Sequence, residues 1–298
     1  MKILSLFDGI SCGRVALERA GIPVDKYYAS EIDKYAIQTS EKNYPDIIRL
    51  GDVKTCELPK DIDILFAGFP CQSFSIAGNR KGFDDERGNL FFDLMRIFQE
   101  VKPKYFLFEN VASMKKADKQ KLDEIIGVEG IMVNSALVSA QQRRRIYWTN
   151  ISFTQPEDEG IVLKDIIEDN TDIKHFLSKR MAKTIIGWEE KQKAKGNSFK
   201  ANIFKKNSED KSSTLKATYH KIQGDGSYII DEPNKSRGAK TELYLDKSQV
   251  RKLTPIECER LQTLPDNYTA GCSNTQRYRQ CGNGWTVDVI AHILSFIK

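Results

Sequence analysis

From Met1 to about Asn150, short apolar runs alternate with longer segments of helical period, and this alternation constrains the fold more than any other feature of the chain. It is the order expected of βαβ units, in which helices cover both faces of a mostly parallel sheet. Ile3-Leu4-Ser5-Leu6-Phe7 reads as the first strand, and Asp8-Gly9-Ile10-Ser11-Cys12-Gly13 as the turn after it. Val15, Ala16, Leu17 and Ala20 then supply the apolar face of a helix that stops at Gly21-Ile22-Pro23. Tyr27–Ser30 reads as the second strand, Ile62–Ala67 as the fourth and Tyr105–Phe108 as the fifth, with a later strand beginning at Arg145–Trp148.

Between about Ile151 and Gln249 long apolar runs become scarce and lysines frequent (Lys191, Lys193, Lys195, Lys200, Lys205, Lys206), so a separate lobe is expected there. From Leu253, Thr254 and Pro255 open a helix as N-cap and first helical residue. A last apolar helix through Val287, Val289, Ile290, Ile293, Leu294 and Ile297 is expected to complete the first domain. The expected organisation is a catalytic and cofactor-binding domain over 1–150, a lobe over 151–249, and a segment over 250–298 that returns to the first domain.

A net charge of +5 favours a polyanionic partner without naming one. The cysteines, at Cys12, Cys56, Cys71, Cys258, Cys272 and Cys281, form no CxxC pair, so neither a zinc site nor a disulfide framework is expected. With no signal-peptide pattern and no run long enough to span a bilayer, a cytoplasmic protein with no membrane association is expected.

Several residues sit where open α/β sheets bind ligands, at strand carboxyl ends. Glu31 ends the second strand, where a carboxylate can accept from ribose hydroxyls while the glycine turn after the first strand lets backbone approach a nucleoside; it could equally cap a helix. The turn lacks the GxGxxG spacing of a pyrophosphate site. Asp52, after Gly51, could accept from an adenine amino group. Cys71 follows the fourth strand directly, which suits a nucleophile, although a lone cysteine is more often a buried inert thiol. Glu109 follows the fifth strand. Gln141, Arg143 and Arg145 alternate, so on one strand they would share a face; alternatively Glu109 is a cap and the arginines a solvated edge.

Together these residues resemble the C5-cytosine DNA methyltransferases. The likeness is carried, in family order over roughly two thirds of the chain, by Phe7-Asp8-Gly9, Glu31-Ile32-Asp33, Gly51-Asp52-Val53, Phe69-Pro70-Cys71-Gln72, Glu109-Asn110-Val111, Gln141–Arg145, Arg251–Leu261 and Gly282-Asn283-Gly284. It implies a Rossmann-like S-adenosylmethionine-dependent methyltransferase fold, a mixed and mostly parallel sheet with helices on both faces, joined to a smaller target-recognition lobe. It implies a pocket for S-adenosylmethionine, which leaves as S-adenosylhomocysteine, lined by Phe7, Gly9, Ile10, Glu31, Ile32, Asp52, Val53, Pro70, Leu90 and Asn283. Double-stranded DNA is the implied partner, touched by Gln72, Ser75, Arg87 and Thr214, with 72–87 as a loop closing over it.

The implied chemistry is covalent. Cys71 adds to C6 of a flipped cytosine while Glu109 shares a proton with N3, Arg145 holds O2, and Arg143 supports the thiolate or a phosphate. No metal is implied. Ser5, where many bacterial members carry aspartate, and Asn283-Gly284-Trp285 in place of Asn-Ser-Val are similar to the vertebrate de novo enzymes, as is Val138-Ser139-Ala140. The compact form with its own recognition lobe nevertheless points to a bacterial or phage modification enzyme, monomeric and with a companion restriction endonuclease as a further partner. The rival readings are a transfer-RNA cytosine-5 methyltransferase and a non-catalytic DNA-binding relative.

Overall fold

A computed structural model describes residues 1–70, 89–196, 202–222, 225–231 and 247–298. The apolar runs of the first half become β1 (Lys2–Leu6), β2 (Lys26–Ser30), β3 (Ile48–Gly51), β4 (Ile64–Gly68) and β5 (Tyr105–Val111), followed by β6 (Ile131–Asn134) and β7 (Arg144–Thr149). They make one sheet in the order β3-β2-β1-β4-β5-β7-β6. Strands β1 to β5 are mutually parallel, and β7 runs antiparallel to both β5 and β6. The strand order reverses direction between β1 and β4, so the loops after β1, β2, β4 and β5 leave from one edge at the switch point.

Ile3, Leu4, Leu6, Ile64, Leu65, Phe66 and Ala67 are fully buried, as expected of strands covered on both faces. Alternation divides them. Leu4, Leu6, Leu65 and Ala67 pack with Phe91, Leu94 and Ile97 of helix α3 (Asn89–Val101) and Leu122 and Ile126 of α4 (Lys116–Ile126). On the other face α1 (Cys12–Arg19) approaches Phe66 closely at Gly13, where a Cβ would lie 2.9 Å from the ring. Helix α2 (Lys34–Asn43) follows β2, with Asp33 as its N-cap accepting from Tyr35 N and Ala36 N. The last helix, α9 (Val287–Leu294), packs on α1, and Arg19 meets Asp288 at 2.5 Å.

A second compact unit holds a four-stranded sheet, β8-β11-β10-β9, formed by β8 (Phe176–Ser178), β9 (Asn202–Lys205), β10 (Ser227–Ile230) and β11 (Lys247–Lys252). Its described helices are α5 (Leu163–Ile166), α6 (Lys179–Ala194), α7 (Pro255–Leu261) and α8 (Asn274–Asn283). The first unit comprises Met1–Ser135, Arg144–Glu157 and Gly284–Lys298, and the second Ala136–Arg143 and Asp158–Asn283. This division differs from the expected boundaries at 150 and 249. Residues 250–283 stay with the second unit because Leu253, Cys258, Leu261, Tyr278 and Cys281 share a buried cluster with Ala140, Leu163, Leu215 and Ile229. Only the stretch from Gly284 onward joins the first. Among the described residues no helix is long and apolar enough to cross a membrane.

Candidate active site

The first unit assembles its polar groups on the switch-point edge. Gly9, in the turn after β1, has φ +58, and its N–H donates to Glu31 Oε2 at 2.8 Å. Glu31 Oε1 accepts from Ile32 N and Asp33 N, each at 2.8 Å. Since Asp33 is the helix cap, Glu31 is not one; its carboxylate ties the turn after β1 to the turn after β2. Oε2 has one described donor and so retains acceptor capacity. Beside it Ile32 is 73% exposed, a large apolar side chain left in solvent next to a carboxylate.

Asp8 has a different task. Burial pushes its carboxyl pKa up, against the lowering effect of Ser11, Ser5, Tyr27 and Arg49. Tyr27 Oη donates to Asp8 at 2.8 Å and Ser11 Oγ at 2.5 Å, so the group braces the turn from below. Asp52, just beyond β3, accepts from Lys54 N at 3.0 Å through Oδ1. Phe7 has φ 56. Ile10 and Val53 are buried, and Pro70 and Leu90 are half-buried, Leu90 against the core beneath the sheet.

Cys71, Gln72, Ser75 and Arg87 lie outside the described residues, as does the rest of the expected loop. The strand that leads to Cys71 is described up to Pro70. Asn110, 1% exposed, donates from Nδ2 to Phe69 O at 3.3 Å. Phe69 itself packs on Phe91 and Trp148, with ring centroids 5.3 and 6.1 Å away. The chain entering position 71 is therefore anchored by packing and by β5.

Glu109 pairs in register with Gly68 near the carboxyl end of β5. Its side chain is 11% exposed, and each oxygen has its own donor: Arg145 Nε lies 2.8 Å from Oε1, and Trp285 Nε1 donates to Oε2 at 3.1 Å. Arg145 reaches it from β7, and its Nη1 donates to Arg144 O at 2.9 Å. Trp285 had no expected role. Its one sequence signal was the departure at Asn283-Gly284-Trp285, which puts a donor-only indole into a motif position.

The expectation that Gln141, Arg143 and Arg145 share one strand face is not met. Strand β7 starts at Arg144, and Ala136–Arg143 belongs to the second unit, where Gln142 N donates to Ser212 O at 2.8 Å. Gln141 is fully buried and donates to Leu261 O and Gln262 Oε1. Arg143, 3% exposed, donates to Leu215 O at 3.0 Å and Gly282 O at 3.3 Å. These contacts give Arg143 a framework duty within its unit. In the same unit Thr214 Oγ1 donates to Gln142 O at 2.5 Å, and Asn283 is exposed at the end of α8.

A switch-point edge carrying Glu31 and Asp52 after successive strands, with a doubly held glutamate near the carboxyl end of β5, is the arrangement of an α/β enzyme whose ligands bind at strand carboxyl ends. The model of the C-5 cytosine-specific DNA methylases matches residues 1–298, and the chain belongs to that family. It is 36% identical to Type II methyltransferase M.NlaX of Neisseria lactamica, over 100% of this chain and 96% of that protein. It is 32% identical to Type II methyltransferase M.HhaI of Haemophilus parahaemolyticus, over 98% and 93%. Among solved structures, the Entamoeba histolytica methyltransferase EhMeth superposes with TM-score 0.74 at 20% identity, covering 99% of this chain and 97% of that one. The S. pombe Dnmt2 methyltransferase gives 0.70 at 22% identity, covering 99% and 97%. At these identities the solved structures speak to the fold alone. The chain is a DNA cytosine-5 methyltransferase with a methyltransferase fold.

Proposed function

We propose that the chain methylates C5 of a cytosine flipped out of duplex DNA, through a covalent bond between Cys71 and C6, as the protective partner of a restriction endonuclease. The observation that carries this reading is Glu109, held at both oxygens near the end of the strand beside the one that leads to Cys71. The Type II methyltransferases to which the chain is similar support the restriction-modification setting.

S-adenosylmethionine fits the edge by donor set. Glu31 has spare acceptor capacity for ribose hydroxyls, Ile32 offers an exposed apolar face, and Asp52 stands one strand further on. Phe7, Gly9, Ile10, Val53, Pro70 and Leu90, all of the first unit, complete the proposed lining. Bound there, the cofactor supplies an electrophilic methyl group.

Cytosine C5 is too electron-poor to take that group unaided. The Cys71 thiolate adds to C6, and Glu109 exchanges a proton with N3, so the electron pair displaced from the ring double bond becomes available at C5. Arg145 uses Nε on Glu109 and has further N–H groups for cytosine O2. Loss of the C5 proton after methylation returns the electron pair and expels Cys71. Gln72, Ser75, Arg87 and Thr214 are assigned to DNA, whose phosphates the lysine-rich lobe attracts.

Incubating the purified chain with methyl-labelled cofactor and either duplex DNA or transfer RNA tests the proposal. Label should enter DNA at cytosine C5. Transfer RNA as sole acceptor, or no acceptor at all, overturns it.

A further inference from the structure

We propose that Trp285 is a positioning residue for methyl transfer: its indole N–H fixes the carboxyl oxygen of Glu109 that Arg145 does not hold, and Gly68 is glycine to admit the indole. The inference rests on the assignment of Glu109 to the N3 proton.

A carboxyl group turns easily about its last torsion, because that sp³–sp² rotation is broad and roughly two-fold. One donor fixes one oxygen and leaves the plane free to swing. Donors on different oxygens define the plane, and with it the direction of the lone pair that must meet an in-plane ring nitrogen. Arg145 Nε at 2.8 Å and Trp285 Nε1 at 3.1 Å are such a pair. Indole has one donor and no acceptor, so Trp285 can hold the carboxyl without competing for its proton.

The indole is itself seated. Phe66 meets it edge-on, with ring centroids 5.9 Å apart and planes at 84°. A Cβ on Gly68 would stand 2.8 Å from Nε1 and 3.3 Å from the adjoining ring carbon, so any larger residue there drives the ring off Glu109. The backbone at Gly68 is an ordinary strand paired with β5, which leaves space as the reason for glycine. On its other side Thr286 accepts from Ser135 Oγ at 2.8 Å and starts α9, whose Val287, Val289 and Ile290 are fully buried. Packing thus sets where Trp285 sits, and Trp285 sets the Glu109 plane.

The test is a double-mutant cycle on the full chain, read as the single-turnover methylation rate and the Kd for DNA. Trp285→Phe keeps the ring contact with Phe66 and removes the N–H. It should slow the chemical step about tenfold, the worth of one hydrogen bond to a charged group, with DNA affinity changed less than about twofold. In the Glu109→Gln background the same change should cost less than about twofold, because the amide keeps an acceptor oxygen but has no proton to exchange with N3, so its orientation no longer governs the step. An equal loss in both backgrounds, or none in the parent, overturns the inference. Parent-level turnover by Glu109→Gln alone overturns the role of Glu109, and this inference with it. Should Trp285→Phe fail to fold, 3-benzothienylalanine at position 285, which replaces N–H by sulfur in the same ring frame, carries the same test.

Discussion

In the second unit Glu257 is fully buried and takes two donors on each oxygen: Arg251 Nη1 and Thr254 N on Oε2, Arg251 Nη2 and Glu168 N on Oε1. In the first, Glu109 takes one described donor on each oxygen, and Glu31 keeps capacity on Oε2. A carboxylate has about four acceptor sites, so Glu257 is saturated while Glu109 and Glu31 can still receive a ligand. Both kinds sit in motifs that look equally family-like in the sequence. Saturation separates residues that hold the fold from residues able to do chemistry. Arg251, with no exposed surface, follows the same logic: burial pulls its pKa down, but Glu257 and Asp231 outweigh this and the guanidinium stays charged. Glu259, also fully buried, takes four donors distributed differently: Arg277 Nη2, Thr269 N and Thr269 Oγ1 on Oε1, and Asn267 N on Oε2.

The sharpest way to break this contrast is Cys71→Ala. Methyl incorporation should disappear while cofactor binding, measured by equilibrium titration, stays within about twofold, since the thiol acts on cytosine. Undiminished turnover would rule out the covalent route. Next, Glu257→Gln should cost roughly 3–5 kcal/mol in urea unfolding of the intact chain, because it leaves Arg251 buried against an amide. A loss below about 1 kcal/mol would mean that saturation of this carboxylate matters little.

His175 offers a pH test of the same unit. Burial pushes its pKa down to about 4, and its Nδ1 lies 3.3 Å from Tyr278 Oη, whose own proton goes to Leu253 O. The unfolded value is near ~6.5, so the native state favours the neutral ring and the unfolded chain binds the extra proton. The associated stability is present above about pH 6.5 and is lost as pH falls toward about 4. Between pH 7.5 and 5 the loss should be about 2 kcal/mol, and His175→Gln should flatten that slope in denaturant titrations. An unchanged slope would remove His175 as its source. The smallest effect is expected of Thr254→Ala, which deletes the acceptor for Glu257 N at 3.1 Å and should cost about 1 kcal/mol by thermal melting with the methylation rate intact. A rate loss without destabilisation would place Thr254 among the chemical residues instead.

The parallel core was legible because buried strands read as apolar runs, and the edge carboxylates because they follow those runs directly. Glu31 and Asp52 stand just past the ends of β2 and β3, whereas β5 runs on to Val111, so Glu109 is a paired residue near that strand's end and not one that follows it. The shared face expected of Gln141, Arg143 and Arg145 failed because alternation holds only inside a strand, and β7 begins at Arg144. Trp285 went unassigned because it lies far along the chain from Glu109, and no local period joins the two.

By itself, then, the sequence determined the sheet, the family and the residues available at strand ends, since these follow from local pattern and motif order. Tertiary structure alone decided which charged groups are saturated and which remain open to a ligand. It also decided that 250–283 packs with the second unit and that Trp285 meets Glu109. Hydrogen-bond capacity is used up by neighbours in space, and only the folded chain says who those neighbours are.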